Sequence, residues 1–332
     1  MRAMTEQIIK QKFMPFGFLV IAAMTLTTGY WMKGTLPTQN PLLASDNLVK
    51  ADDETIKKDD STKTDSTPSQ PKEISIRYQP FVIQSAKSIA ELKAKIGEDG
   101  FNTVLKINRL DHKHVGKGTT LFIPETKIEL LAASPLPQEL KVANSIDKLV
   151  VVSRRAQAFG AYESGRLVYW GPTSTGKKAT PTPAKLYSTN WRAKVTRSSV
   201  NRSWVLPWYF NLDMVEGIAF HQYDLPGYPA SHGCVRLLEK DAMWMYGWGN
   251  PARIAKSGSF LAHGTPVLVF GDYAYGQTAP WKKLESDPKA ASVSINEIEE
   301  ALQKHLLTIE ARARTRESLV AAANPSPPAP KQ

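Results

Sequence analysis

Apolar and polar positions are spaced differently in successive stretches of this chain, and each spacing predicts a different element. Residues 13–32 run without a single charge, bounded by Lys12 and Lys33, a length that crosses a hydrocarbon core as a helix. Residues 33–72 hold Thr, Ser, Asp, Lys, Asn and Pro with few apolar positions, which predicts a flexible spacer. From residue 73 the pattern becomes periodic. A short strand is expected over 77–83, followed by a helix that Ser88 caps and that carries Ile89, Leu92 and Ile96 on one side before Gly97. Phe101, Val104, Leu105 and Ile107 predict a second short helix, and 118–124 a turn and a closing strand. A small α+β unit over 73–126 follows from this order. A connector with Pro135 and Pro137 spans 127–146.

The next stretch, 147–273, is dominated by strand patterns. Lys148–Ser153 is a near-continuous apolar run, and 158–162 with 167–170 form a hairpin turning at Glu163-Ser164-Gly165. Residues 204–210 and 218–220 bring aromatics and a strand up to His221, 237–246 predict a helix, and 265–270 a closing strand. Ser294-Ile295-Asn296-Glu297 is a capping-box pattern opening one long helix, with Ile295, Ile298, Leu302, Leu306 and Ile309 on one face. That face is expected to dock on the preceding domain or to pair with another helix. Residues 274–332 therefore comprise a C-terminal helix and, over 324–332, a Pro-rich tail.

Composition sharpens the picture in three places. The chain has 332 residues and 42% hydrophobic content, ordinary for a protein whose bulk lies outside a bilayer. A formal net charge of +11 favours an anionic partner. No zinc-finger, basic-zipper or RNA-binding pattern accompanies it, so no nucleic-acid partner is expected, and an anionic wall polymer or membrane surface is. Arg2, Lys10 and Lys12 precede the apolar run against Glu6 alone. This bias places residues 1–12 in the cytoplasm and the rest outside. Neither a small-x-small cleavage site nor a lipid-accepting Cys follows 13–32, so an uncleaved anchor is favoured over a signal peptide.

The single cysteine, Cys234, carries the candidate chemistry. One Cys rules out an internal disulfide, and a thiol becomes a nucleophile as thiolate, which requires a base or a positive neighbour. His232 lies two residues before it, and His221 lies across a Pro/Gly-rich loop whose reversal can return it to the sulfur. Gly233 permits a tight turn that aims amide N–H groups at an oxyanion. A helix beginning just after Cys234 would add its positive dipole end. Tyr223 and Tyr228, in the loop between the histidines, are the aromatics expected to touch substrate. A metal site from His221, His232, Cys234 and His263 is the rival, but its spacing fits no usual zinc pattern. No metal and no cofactor is expected.

The run Ser231-His232-Gly233-Cys234-Val235-Arg236, with the upstream His221, resembles the signature of the L,D-transpeptidase (YkuD-like) catalytic domain. Gly171-Pro172-Thr173-Ser174-Thr175-Gly176 and Thr180-Pro181-Thr182-Pro183 extend that resemblance. His221-Gln222-Tyr223 departs from the family's His-Gly-Thr, and His263-Gly264-Thr265 copies those letters after the Cys, where it reads as structural. The order of elements over 73–126, with Val104-Leu105-Lys106-Ile107-Asn108-Arg109-Leu110, resembles a LysM module, a binder of N-acetylglucosamine-containing glycans.

These resemblances imply a β-sandwich catalytic domain over 147–273, a LysM-like domain before it, and action on peptidoglycan in the cell envelope on the periplasmic side of the membrane. They imply a Cys234 thioester with the donor stem tetrapeptide, release of a D-amino acid, and transfer of the acyl group to an amine. Cys234, His221, His232 and Gly233 would form the catalytic set. Arg236, Ser231, Tyr223, Tyr228 and Gln222 would contact substrate or, for the Gln222 carbonyl, orient His221. The expected partners are stem peptides, glycan strands and the membrane through 13–32. Discharge by water, giving an L,D-carboxypeptidase, and a non-catalytic wall-binding anchor are the alternatives.

Overall fold

Two short strands, β1 (Tyr78–Val82) and β2 (Thr120–Pro124), pair antiparallel with Tyr78 opposite Pro124, and the helix α1 (Ala86–Asn108) connects them. The computed structural model describes residues 76–323, all within one compact unit, Ser69–Gln332. The expected anchor 13–32, the spacer 33–72 and the tail 324–332 lie outside the described residues. Among the described residues, no helix is long and apolar enough to cross a membrane.

The start of α1 corrects one expectation. Ser85, not Ser88, is the N-cap, and Ser88 sits three residues on, returning the bond to the Ser85 amide. Both serines of this capping box satisfy amides left free by the first turn. The two helices expected here are present within α1 and meet at Gly97, whose non-helical φ of 76° is open to glycine at little cost. Ile83, Leu92, Phe101, Val104, Leu105 and Leu121 close a small core. Ile107 and Phe122 face away from it into the core of the larger domain.

The larger domain is a sandwich. In chain order it contains β3 (Lys148–Ser153), β4 (Ala158–Glu163), β5 (Arg166–Pro172), β6 (Leu186–Ser188), β7 (Arg192–Arg197), β8 (Val205–Asn211), β9 (Ala219–Gln222), β10 (Val235–Leu237), α2 (Glu239–Trp248), β11 (Arg253–Ile254), β12 (Phe260–Ala262) and β13 (Pro266–Phe270). One sheet has the order β5-β4-β3-β13-β6 and the other β10-β9-β8-β7. The apolar run of β3 has a simple cause, because both faces of its sheet are covered. Val150 and Val152 face the second sheet with Phe159, Phe210, Phe220 and Val235. Leu149 and Val151 face the other way, toward Tyr162, Trp170 and Trp281. Each such side chain, fully removed from water, contributes about 1.5–3 kcal/mol.

Two helices finish the described chain, α3 (Ile295–Gln303) and α4 (Leu306–Ala323). The capping box at Ser294 and Glu297 is present. The single long helix expected here is interrupted at Lys304 and His305, and Ile295 is 47% exposed rather than buried. Ile298, Leu302 and Ile309 do dock on the outer core of the five-stranded sheet. Arg316 then ties α4 to the carbonyls of Pro251 and His263.

Candidate active site

Strands β9 and β10 run parallel, with Phe220 opposite Val235 and His221 opposite Arg236. Side chains alternate between the faces of a strand. Phe220 and Val235 therefore enter the sandwich core, both fully buried, while His221, Arg236 and, two residues before it, Cys234 share the other face. A parallel pair needs a crossover connection, and here residues 223–234 supply it. His221, Cys234 and Arg236 line one cleft of about 340 Å³, bounded by the β7–β8 hairpin and by the segment 214–218.

His221 is 4% exposed, and its Nδ1 donates to the Gln222 carbonyl at 3.0 Å. That bond orients the ring and leaves Nε2 as the basic nitrogen. Burial, opposed by the Gln222 bond and aided by the nearby Arg236 charge, lowers the imidazole pKa to about 4. Cys234 is half-buried, with Sγ 3.6 Å from the Gly217 carbonyl. Burial pushes its thiol up, against smaller opposing effects from the Ala219 amide and Arg236. At rest the thiol and the imidazole are thus both neutral. The expected helix dipole is absent from this balance. Residues 235–237 are spent on β10, and α2 opens only at Glu239.

Ser231 and Gly233 are both bonded within the turn that leads to Cys234. Ser231 is buried, its hydroxyl donates to the Cys234 carbonyl at 2.5 Å, and it accepts from the Gly233 amide at 3.1 Å. It clamps the turn while lining the cleft, and the Gly233 amide is already engaged. Gly233 itself has φ +116°, a conformation L residues rarely adopt, and its carbonyl accepts from Thr182 at 2.7 Å. The segment Ser174-Thr175-Gly176 is zipped along this turn. Ser231 donates to the Thr175 carbonyl, and Arg236 exchanges backbone bonds with Ser174.

His232 is exposed, tilted against Trp204 at 5.0 Å, and accepts at Nε2 from the Lys177 ammonium at 2.9 Å. Partial desolvation and then the Lys177 and Arg236 charges lower its pKa, so it too is neutral. Arg236 lies over the Tyr223 ring at 4.6 Å and reaches the Asp224 carbonyl at 3.4 Å. Among the described residues it makes no ion pair with a carboxylate, so its charge faces the cleft. Tyr223 also meets the His221 ring edge-on at 5.9 Å. Tyr228 is 55% exposed and does not line the cleft. The Gln222 side chain does not line it either, only its carbonyl serving His221. His263 is elsewhere, stacked on Phe260 and 3.3 Å from Ser188. The four proposed metal ligands are therefore not brought together.

Several cleft residues were not singled out from the sequence. Trp204, Lys177 and Thr182 hold the turn, while Gly217, Asn211 and Glu216 wall the cleft. Only the density of aromatics over 204–210 hinted at that wall.

Comparison with known proteins bears on this stretch of the chain. The L,D-transpeptidase catalytic-domain family model, YkuD, matches residues 147–269. No curated protein matches the chain. Among solved structures, an L,D-transpeptidase from Stackebrandtia nassauensis matches at 23% identity and TM-score 0.32, over 39% of this chain and 57% of that one. One from Mycobacterium smegmatis matches at 19% identity and TM-score 0.32, over 38% and 59%. Residues 123–326 of an L,D-transpeptidase from Xylanimonas cellulosilytica match at 20% identity and TM-score 0.38, over 58% and 98%. This chain thus spans under two thirds of the first two relatives. The stretch 147–269, matched by the L,D-transpeptidase catalytic-domain model, contains the whole of β3 through β12 and every residue of the Cys234 cleft.

Proposed function

We propose that this chain is a peptidoglycan L,D-transpeptidase that works through a thioester on Cys234. The observation that carries the reading is the parallel register of β9 and β10, which puts the one thiol, a buried neutral imidazole and a guanidinium without a carboxylate partner among the described residues on one face of one cleft. In this reading His221 Nε2 takes the Sγ proton as sulfur attacks the carbonyl after the third residue of a donor tetrapeptide. The oxyanion falls first to the Cys234 amide, because the Gly233 amide is bonded to Ser231. The carbon–nitrogen bond breaks, the proton passes from His221 to the leaving D-amino acid, and a thioester remains. An acceptor amine then attacks the thioester, giving its proton to His221, which returns it to the thiolate.

The neutral resting pair suits proton transfer coupled to attack rather than a stored thiolate. Arg236 holds a substrate carboxylate in this reading, and Tyr223 supports it. His232 and Ser231 position the turn. The reading extends to an envelope protein anchored by 13–32, with this domain outside the cytoplasmic membrane. The β1–α1–β2 unit, whose strand–helix–helix–strand order resembles LysM, would bind glycan.

Intact-mass spectrometry after incubation of the full chain with a disaccharide-tetrapeptide tests this, with Cys234→Ala alongside. The expected result is an acyl adduct on wild type alone, loss of terminal D-alanine and formation of dimer. Loss without dimer would indicate the carboxypeptidase outcome. A folded wild type with no adduct and no product would overturn the enzymatic reading for this substrate.

A further inference from the structure

The β1–α1–β2 unit ends on a short segment that touches the candidate active site more closely than a tethered binding domain needs to. Asp111 follows the left-handed turn at Arg109 and caps a single 3-10 turn, His112–His114, with Oδ1 accepting from the Lys113 and His114 amides. Its other oxygen, Oδ2, accepts from the Leu225 amide at 2.7 Å, and the Asp111 amide donates back to the Leu225 carbonyl at 3.1 Å. Leu110 bridges to Pro226, and Lys113 pairs with Asp224 at 3.1 Å. Gly227 lies so close to Leu110 that a Cβ there would sit 3.0 Å from Leu110 Cδ2. Four consecutive loop residues, 224–227, are thereby held by 110–113.

That loop is the crossover between His221 and Cys234. Its first residue, Tyr223, lies under the Arg236 guanidinium and against His221, and its second, Asp224, accepts from Arg236. The jaw that grips it is itself seated firmly. Lys106 of α1 enters the larger domain, 2.7 Å from Asp241 of α2, whose side chain is fully buried and also accepts from Tyr169 at 2.7 Å. Arg109 donates to the Ala156 carbonyl between the Trp170 and Trp281 rings. Buried charged groups with several partners resist separation, so the unit does not swing as a free domain.

We propose that the N-terminal unit is a positioning part of the active site, with Asp111 as the positioning residue that holds loop 223–230 and through it sets Tyr223 and Arg236 beside Cys234. This rests on the thioester reading for its substrate, and adds that the binding cleft is complete only with the unit in place. A glycan-binding role for the same unit neither requires nor supplies this contact.

The test uses the full chain as wild type, Asp111→Ala and Asp111→Asn. Amide hydrogen exchange is read across 223–230, kcat and KM with a disaccharide-tetrapeptide, and the alkylation rate of Cys234 with iodoacetamide. In Asp111→Ala the Leu225 amide is expected to exchange about ten- to hundredfold faster, the factor one charge-assisted hydrogen bond carries. KM rises by at least as much as kcat falls, and β3 amides keep their protection. Asp111→Asn, which retains one carbonyl oxygen, falls between. A purely structural role would lower the melting temperature without that split in KM and kcat. Unchanged loop exchange overturns the proposal, as does a loosened loop with wild-type KM and kcat. Should Asp111→Ala not fold, Asp111→Asn carries the same readings. If wild type turns over no stem peptide, the thioester function has failed, and the clamp is then judged on alkylation. A changed Cys234 rate with a loosened loop supports it, and an unchanged rate overturns it.

Discussion

The two sheets of the sandwich are built from similar residues and serve different ends. The sheet containing β3 is covered on both faces, so Leu149, Val150, Val151 and Val152 are all inaccessible to water. The sheet containing β9 packs one face into the core and turns the other to the cleft, where Leu206, Tyr209 and Ala219 make a small buried cluster beside Cys234. Phe210, Phe220 and Val235 fill the core, and the opposite face holds Cys234, His221 and Arg236. At its far edge even apolar residues are left in solvent, with Val195 61% exposed on β7. Stability is concentrated in one sheet and chemistry in the other. The reason is physical, since a charged or reactive side chain that must meet substrate has to open onto a cleft, and one buried without such an opening needs a partner, as Asp241 has in Lys106.

Changes on the two sheets should therefore separate activity from stability. His221→Ala is expected to lower kcat by about 10²–10⁴, the worth of a positioned base, with far-UV circular dichroism unchanged. If it instead unfolds the protein, the working face is part of the structural core and the division fails. Leu149→Ala should cost about 2–5 kcal/mol in urea unfolding, while the folded fraction retains its kcat/KM. A fall in kcat/KM there would mean that the buried sheet tunes the cleft.

One group joins the two properties. His221 is held neutral with a pKa of about 4, against 6.5 for the ordinary imidazole. Above pH 6.5 neither folded nor unfolded chain is protonated there, so it makes no contribution. As pH falls from 6.5 toward 4, the unfolded chain gains a proton that the folded one refuses, and stability declines by about 3 kcal/mol before levelling. Subtracting the pH–stability curve of His221→Gln from that of wild type isolates this slope, and a flat difference would remove the buried neutral base. The smallest effect belongs to the exposed edge. Val195→Thr should change stability by less than about 0.5 kcal/mol, and a larger loss in thermal melts would show that this edge is covered in solution.

Legibility in the sequence followed the range of the interaction. The apolar runs placed β3, β4, β5 and β13 almost residue by residue, because a strand buried on both faces leaves a continuous local signal. Cys234, His221 and Arg236 were singled out from the run 231–236 and the loop before it, and the expected contact between the Gln222 carbonyl and the His221 ring is made. Errors gathered where two local answers were equally good. Ser85 and Ser88 are both capping residues, and only the backbone selects the first. The helix expected from Leu237 opens only at Glu239, because Leu237 pairs with β9 as the end of β10. The bonds that Ser231 makes within its own turn, by contrast, were not read from the sequence at all.

Residue types and their spacing were enough to specify four of the five strands of the buried sheet, the capping box at Ser294 and the one available thiol, since each depends on neighbours within a few positions. The neutrality of His221 and Cys234, the engaged Gly233 amide and the grip of Asp111 on Leu225 required the folded molecule. Desolvation and hydrogen-bond occupancy depend on groups brought together from distant parts of the chain, as Asp111 and Leu225 are, and no local pattern encodes which of them will meet.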